Sequence, residues 1–316
     1  MSVHAPNADT DTDTEPDLIS LRCYDGPPSQ GTAPLFRAAR DADAEMGFSA
    51  PDQYFSRSPA RYLTAEVCTL LHRWTTASPS APVLAAVVTA RELGSSLWAV
   101  DIVVDPQFRS MGVATAVFEA VGSDLSGLPA PFGTIDGATF VGCSYGSHPA
   151  SGRLARRFGA QFGGRRDRLL LPSRSDYAAS RMARDPQRRF VVTADAGPDA
   201  DAPSVWQHFE EADATDTRRL CVTDADGSVA GHVRLGLTDE PHRIGLLRLD
   251  AAADRSVGVV RTAIEHLWAC GAVSIETSVD ATDATTLDVL RSAAFQHDRS
   301  DALFMLGQPM SAGRCV

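Results

Sequence analysis

Leu97-Trp98-Ala99-Val100-Asp101-Ile102-Val103-Val104-Asp105-Pro106-Gln107-Phe108-Arg109-Ser110-Met111-Gly112-Val113-Ala114-Thr115 is the stretch that decides how the rest of this chain is read. Trp98 to Val104 is dense in β-branched and aromatic residues, and Asp105-Pro106 ends that run. From Val113 the apolar positions fall at helical spacing, so the stretch predicts a strand, a short loop and a helix. Val113, Val117, Phe118, Val121 and Leu125 lie on one side of that helix, which starts between Met111 and Val113. Its first N–H groups have no intrahelical acceptor and carry the positive end of the dipole. Gly112 lets a ligand approach the main chain closely, and Arg109 adds a cation. Such a terminus suits a phosphate or a pyrophosphate.

Outward from this stretch the order of elements repeats. In the first half, helical patterns over Leu35 to Met46 and Ala60 to Trp74 precede a strand from Val83 to Val88. Ser58 and Pro59 stand at the cap and first position of the second of these helices. After the central helix come a strand over Ala138 to Cys143, a basic helix ended by Gly159, and a last strand over Arg168 to Leu171. In the second half, Leu220 to Thr223 and Val229 to Leu237 form a hairpin around Asp224-Ala225-Asp226-Gly227. Strands follow at Ile244 to Leu249, Val273 to Thr277 and Leu303 to Leu306. Between them lie helices striped by Val260, Ile264, Leu267 and Trp268, and then by Leu287 and Leu290. Arg255 sits 146 positions after Arg109, about one domain length. The expected organisation is an acidic disordered tail over 1–17, a domain over 18–173, a linker over 174–190 and a second domain over 191–316. Both domains are α/β, each with a mixed sheet.

The 316 residues suffice for two cores, and 44% hydrophobic with 22% charged residues is a globular composition. A net charge of −11 argues against nucleic acid or an anionic membrane as partner. The six cysteines are widely spaced without a metal-ligand pattern, so no metal is expected and the cytoplasm is the expected compartment.

Arg109-x-x-Gly112-x-Ala114 resembles the acyl-CoA pyrophosphate loop of the GNAT N-acetyltransferase superfamily, and Val103-Val104-Asp105-Pro106 resembles that family's central strand and its exit. A tandem of two such domains is similar to the mycothiol synthase family. Further matches lie in Asp43 to Gln53, with Gly47 and Pro51, and in Tyr145-Gly146-Ser147-His148-Pro149-Ala150 with Leu154-Ala155 and Phe158-Gly159. The resemblance implies an acetyl-CoA-dependent N-acetyltransferase that acts on the amine of desacetylmycothiol, and a monomer is the expected state. Transfer to another small amine, or acyl-CoA binding without turnover, are the alternatives. By the same resemblance Arg109, Ser110, Met111, Gly112, Val113, Ala114 and Thr115 hold the pyrophosphate, while the backbone of Val103 and Val104 holds the acetyl and pantetheine groups.

Acetyl transfer to an amine needs a proton acceptor, a stabilised carbonyl oxygen and a proton for the leaving thiolate. Asp101 on the central strand is the candidate base, or the group that orients a water; its bland reading is a surface carboxylate. Tyr145 is the candidate acid, or otherwise a packed ring. His148 before Pro149 reads as structural. Arg153, Arg156 and Arg157 read as a solvated helix face, with the 3'-phosphate of CoA as the other reading.

The second half departs from the family pattern. Val260 stands where a small residue is expected, no carboxylate opens the strand after His242-Arg243, and Leu290 occupies the place of a tyrosine. A degenerate second site is the expectation.

Overall fold

The computed structural model describes residues 19–48, 61–69, 82–94, 96–121, 138–184, 190–194, 205–206, 209, 218–238, 243–251 and 256–307. The expected acidic tail, Ser58, Pro59, Leu125 and Arg255 lie outside them.

In the first half the strands are β1 (Ile19–Asp25), β2 (Tyr62–Thr69), β3 (Val83–Gly94), β4 (Leu97–Val104), β5 (Thr139–Ser144) and β6 (Gln161–Leu171). The second half has β7 (Val191–Ala194), β8 (Arg218–Thr223), β9 (Val229–Leu237), β10 (Ile244–Ala251), β11 (Ser274–Asp280) and β12 (Gln296–Leu306). Helix α1 (Ala33–Glu45) follows β1, α2 (Val113–Val121) follows β4, and α3 (Pro149–Arg157) follows β5. Short helices α4 (Arg174–Ala179) and α5 (Arg181–Arg184) follow β6. Helix α6 (Ser256–Ala269) follows β10 and α7 (Ala284–Ser292) follows β11.

All the described strands join one sheet, in the order β1-β2-β3-β4-β5-β12-β6-β11-β10-β9-β8-β7. The order reads the same from either edge, with one exchange at the centre. The last strand of each half pairs with the other half: β12 lies against β5, and β6 lies against β11. Leu303 to Leu306 therefore sits in mid-sheet, and the edges are β1 and β7.

Alternation explains the packing of the first half. Leu63, Ala65 and Val67 of β2, with Ala86 and Val88 of β3 and Trp98 of β4, form one core with Val113 and Val117 of α2. The opposite face of β3 and β4 gives Val87 and Val103 to Leu35 and Ala39 of α1. The central strand is thus covered on both sides. The second half buries Leu247, Val259, Val260, Ile264 and Leu267 in its own core, together with Tyr177 of α4 and Met182 of α5. The segment expected to link the halves thereby contributes two helices to that core.

One element is overturned. The helix expected over Ala60 to Trp74 is instead strand β2 where it is described, at Tyr62–Thr69. Leu63 and Val67 are four apart, which suits one face of a helix but equally one face of a strand when Ala65 lies between them. Burial of all three against β1 and β3 decides for the strand.

The last strands are also longer than their apolar ends suggest. Arg165 to Arg168 of β6 pairs with Ser300 to Ala302 and Arg299 of β12. Their charges are absorbed across the junction. Arg166 lies over the Trp206 ring at 5.3 Å, Arg299 over the Tyr145 ring at 5.6 Å, and Arg299 Nε is 3.2 Å from Asp301.

Candidate functional site

The site begins where two strands part. Strands β4 and β5 pair in parallel at Leu97–Thr139, Trp98–Phe140 and Ala99–Val141, and the pairing stops there. They are still close at the next step, since a Cβ on Gly142 would stand 3.2 Å from the Val100 carbonyl oxygen. Beyond it a gap opens along Ile102 to Val104.

The direction of each backbone group follows from one hydrogen bond. Asp105 N–H donates to the Ala85 carbonyl at 2.9 Å, so those two residues are a hydrogen-bonded pair of the antiparallel β3–β4 ladder. Alternation then turns the backbone of Asp101 and Val103 toward β3, and that of Ile102 and Val104 toward the gap. Of the two residues whose backbone was expected to line the gap, Val104 does and Val103 does not; Ile102 takes its place. Val103 instead buries its side chain beneath α1.

Residues 105–112 carry the chain from β4 to α2. The Asp105 carboxylate accepts from Gln107 N–H at 2.9 Å, and Phe108 is buried beneath the loop. Ser110 and Gly112 adopt positive φ, 63° and 85°, which turns the backbone into the helix. A Cβ on Gly112 would meet nothing within 4 Å, so space lies open there. Val113 points into the core, whereas Ala114 and Thr115 stay half-buried. The first amides of α2 therefore face the loop with Ser110, Met111 and Gly112 beside them.

Arg109 is more constrained than an isolated cation. Its Nη1 and Nη2 donate to the two carboxylate oxygens of Asp43 at 2.5 and 3.0 Å, and its Nε donates to the Val104 carbonyl at 3.2 Å. The guanidinium ties the end of β4 to the end of α1, a role that the sequence reading missed. These contacts use three of its five N–H groups and leave two.

Stretches far apart in sequence converge at this point. Gly146, at φ 63°, is placed so that a Cβ would stand 2.6 Å from the Gly47 carbonyl oxygen and 2.6 Å from Phe48 Cδ1. The Phe48 ring meets the His148 ring edge-on, at 4.6 Å between centroids. His148 Nδ1 accepts from Ala150 N–H at 3.1 Å and so caps α3. Burial lowers the pKa of His148, Arg109 and Arg153 act in the same direction, and Asp43 acts against them. The Asp43–Phe48, Arg109 and Tyr145–Ala150 stretches thus form one corner of the molecule.

Asp101 lies on the α1 face of β4, opposite Thr89. Burial pushes its carboxyl up to about 6, with Arg91 opposing the rise. Tyr62 shares this environment: burial raises its pKa, while Arg91 and Asp101 act on it in opposite directions. Arg91 and Tyr62 are residues that sequence reasoning missed, because register across three strands brings them to Asp101.

No protein-family model and no curated protein matches the sequence. Solved structures do match its architecture. A tandem GNAT protein from the clavulanic acid biosynthesis pathway aligns over 92% of this chain and 100% of its own, at 14% identity and a TM-score of 0.60. The chain has the tandem GNAT fold. A GCN5-related N-acetyltransferase from Sphaerobacter thermophilus aligns over 93% of this chain and 97% of its own, at 15% identity and a TM-score of 0.55. A GCN5-related glucosamine N-acetyltransferase region of a fungal multi-domain β-N-acetylglucosaminidase covers 90% of this chain with 38% of its own, at 13% identity and a TM-score of 0.54.

Within the GNAT fold, Tyr145 occupies the end of β5, on the sheet face that carries Ala99 and Val141. Its ring stacks under Arg299, and its hydroxyl lies 3.5 Å from the Phe209 carbonyl oxygen. Tyr145 is therefore a packed residue at the junction of the halves.

The second GNAT half repeats the gap but not the open helix start. Strands β10 and β11 pair from Ile244–Ser274 to Leu247–Thr277 and then part. Residues 252–255 alone join β10 to α6, and the first turn of α6 is filled: a Cβ on Gly258 would stand 2.1 Å from the Phe190 ring. Val259 and Val260 are fully buried in the core. The counterpart of Asp101 also differs from what the two loop arginines suggest. Their spacing matches Asp101 with Leu247, yet Leu247 faces the helix-side core as Val100 and Ile102 do. The strand ends, Val104 and Ala251, are one position further out of step, and that offset places Arg248 at the station of Asp101.

Proposed function

We propose that the chain is an acetyl-CoA-dependent N-acetyltransferase that works in its first half on a small amine. The observation that carries this reading is Asp101: a carboxyl raised to about 6 on the strand that borders the β4–β5 gap. A base whose pKa is close to neutral accepts a proton at working pH and still binds it strongly enough to drive transfer.

The residues fit an acyl-CoA. The backbone of Ile102 and Val104 would pair with an extended amide chain as a neighbouring strand does, and the open space at Gly112 admits a pyrophosphate to the first amides of α2. The bound thioester supplies the acetyl group. In this reading Asp101 takes the ammonium proton of the acceptor, directly or through one water, and the gap-facing N–H groups stabilise the carbonyl oxygen. The sulfur departs as a thiolate and takes its proton from water, since the Tyr145 hydroxyl is held against the Phe209 carbonyl oxygen. Arg109, tied to Asp43 and to the Val104 carbonyl, turns its remaining N–H groups to the phosphates.

For the acceptor we propose desacetylmycothiol. The support is the convergence of Asp43–Phe48 with Tyr145–Ala150, the two stretches in which the sequence resembles the mycothiol synthase family beyond the loop. Mass spectrometry of small-molecule products after incubation with acetyl-CoA, with and without desacetylmycothiol, tests it. Mycothiol-type product only when the acceptor is present supports the reading. Acetylation of another amine in its place replaces the acceptor, and binding of acetyl-CoA without turnover on any amine rejects catalysis.

A further inference from the structure

A recess of about 430 Å³ lies on the far side of α3 from α2, at the seam with β12 of the second half. The two flanks of α3 are distinguishable. Phe158, just past its end, stacks on Phe118 of α2 at 5.2 Å, and Arg157 pairs with Glu119. Pro149, Gly152, Arg153 and Arg156 fall on the other flank and line the recess. The recess therefore opens on the flank of α3 away from α2, and it shares Ser144 of β5 and His148 with the neighbourhood of the β4–β5 gap.

Its polar lining is mostly donors; the exception is Ser147, whose hydroxyl already donates to the Ser300 carbonyl at 2.8 Å. Arg153 and Arg156 are exposed, one turn apart, and neither pairs with a carboxylate among the described residues. His148 caps α3 with Nδ1 as acceptor, so its neutral ring carries the proton on Nε2. Ser144 completes the set. It is 4% exposed, alternation on β5 turns its side chain to the α3 face, and its hydroxyl has no hydrogen-bond partner. A buried hydroxyl left unpaired costs free energy that a ligand oxygen would recover. No carboxylate lines the recess, and Phe304, Ala302 and Pro149 give it an apolar wall.

We propose that this recess is a binding site for a small molecule carrying a phosphate group, distinct from the acyl-CoA site. Two adjacent guanidiniums match phosphate geometry, the buried hydroxyl supplies a third donor, and the apolar wall takes the rest of the molecule. The inference does not depend on the acetyl-transfer reading.

Calorimetric titration of phenyl phosphate into the full chain tests it. One site per chain is expected. Arg153→Gln with Arg156→Gln should weaken it at least tenfold, and Ser144→Ala several-fold. Arg157→Gln, the same charge change on the α2 flank, should leave it unchanged. Saturating acetyl-CoA should not displace the probe. Absence of binding, or equal loss in Arg157→Gln, overturns the proposal. So does displacement by acetyl-CoA but not by its 3'-dephospho form, because the recess would then belong to the nucleotide of CoA.

Discussion

The β4–α2 and β10–α6 junctions have the same topology and opposite contents. In the first, the eight residues 105–112 join strand to helix, and Gly112 faces space in which a Cβ would touch nothing within 4 Å. In the second, the Phe190 ring fills the place where a ligand would approach the first turn of α6. The strands part in both halves, so the gap belongs to the fold. A binding site needs, in addition, a helix start that the protein leaves unfilled. The faces behind the gaps diverge as well: Asp101 stands opposite Thr89, whereas Arg248 stands opposite Arg234. Under the proposed reading only one of the two copies of this architecture carries catalytic groups, because function resides in the site rather than in the fold.

The largest effect that separates the halves is expected at Asp101. Asp101→Asn keeps the size of the side chain and removes its basicity, so turnover should fall on the order of a hundredfold or more. Arg248→Gln should leave turnover unchanged. The stability effect of Asp101→Asn runs the other way. A carboxyl raised to about 6 stabilises the fold only while protonated. That contribution is complete below its ordinary pKa and is lost as pH rises through 6. Asp101→Asn should therefore raise the unfolding free energy above pH 6, by up to roughly 2–3 kcal/mol, with the gain vanishing in acid. Thermal melts from pH 4 to 8 read this directly, and equal loss of activity in Arg248→Gln would break the comparison.

A smaller effect is expected on removing Phe190, the ring that closes the second junction. Phe190→Ala should destabilise the chain by about 2 kcal/mol, since the ring is partly buried against the core. It should create no second acetyl-CoA site, because Val259 and Val260 keep the first turn of α6 in the core. Denaturant titration and calorimetry check the two halves of that statement, and a new acetyl-CoA site would contradict it.

Asp43→Asn sharpens the reading of Arg109. Loss of the ion pair should cost about 1 kcal/mol of stability, and acetyl-CoA affinity should hold or rise as the guanidinium is released. A fall in affinity would mean that the pair itself builds the site. The smallest effect is that of Arg91→Met, which removes the cation opposing protonation of Asp101. The acidic limb of the pH–rate profile should move to higher pH by less than about one unit.

The strand–loop–helix at 97–115 was legible because several independent signals coincide: β-branched density before Asp105-Pro106, helical spacing after Val113, and Gly112 at the join. The strand at 62–69 was not, because Leu63 and Val67 satisfy two periods at once. Nor was β1, whose Ile19, Leu21 and Cys23 alternate with Ser20, Arg22 and Tyr24 over a run too short to stand out beside the acidic segment before it. The charged beginnings of β6 and β12 read as loop, since Arg166 and Arg299 find their aromatic partners only in the folded chain. The repeat predicts which elements occur but not their neighbours, so the exchange of β6 and β12 stayed invisible. At the site, Arg109 and Gly112 were found by motif. The Asp43 partner of Arg109, 66 positions away, and the turn of Val103 away from the gap depend on tertiary contacts and strand parity.

The claim that one half alone holds the acyl-CoA site is tested most directly by calorimetric titration of acetyl-CoA into the intact chain and into Gly112→Val. The account predicts one site per chain. In Gly112→Val a branched side chain enters the open space and the φ of 85° becomes strained. Affinity should then fall at least about tenfold, or roughly 1.4 kcal/mol, in a protein that remains folded. Two equal sites in the intact chain, or unchanged affinity in folded Gly112→Val, would contradict it.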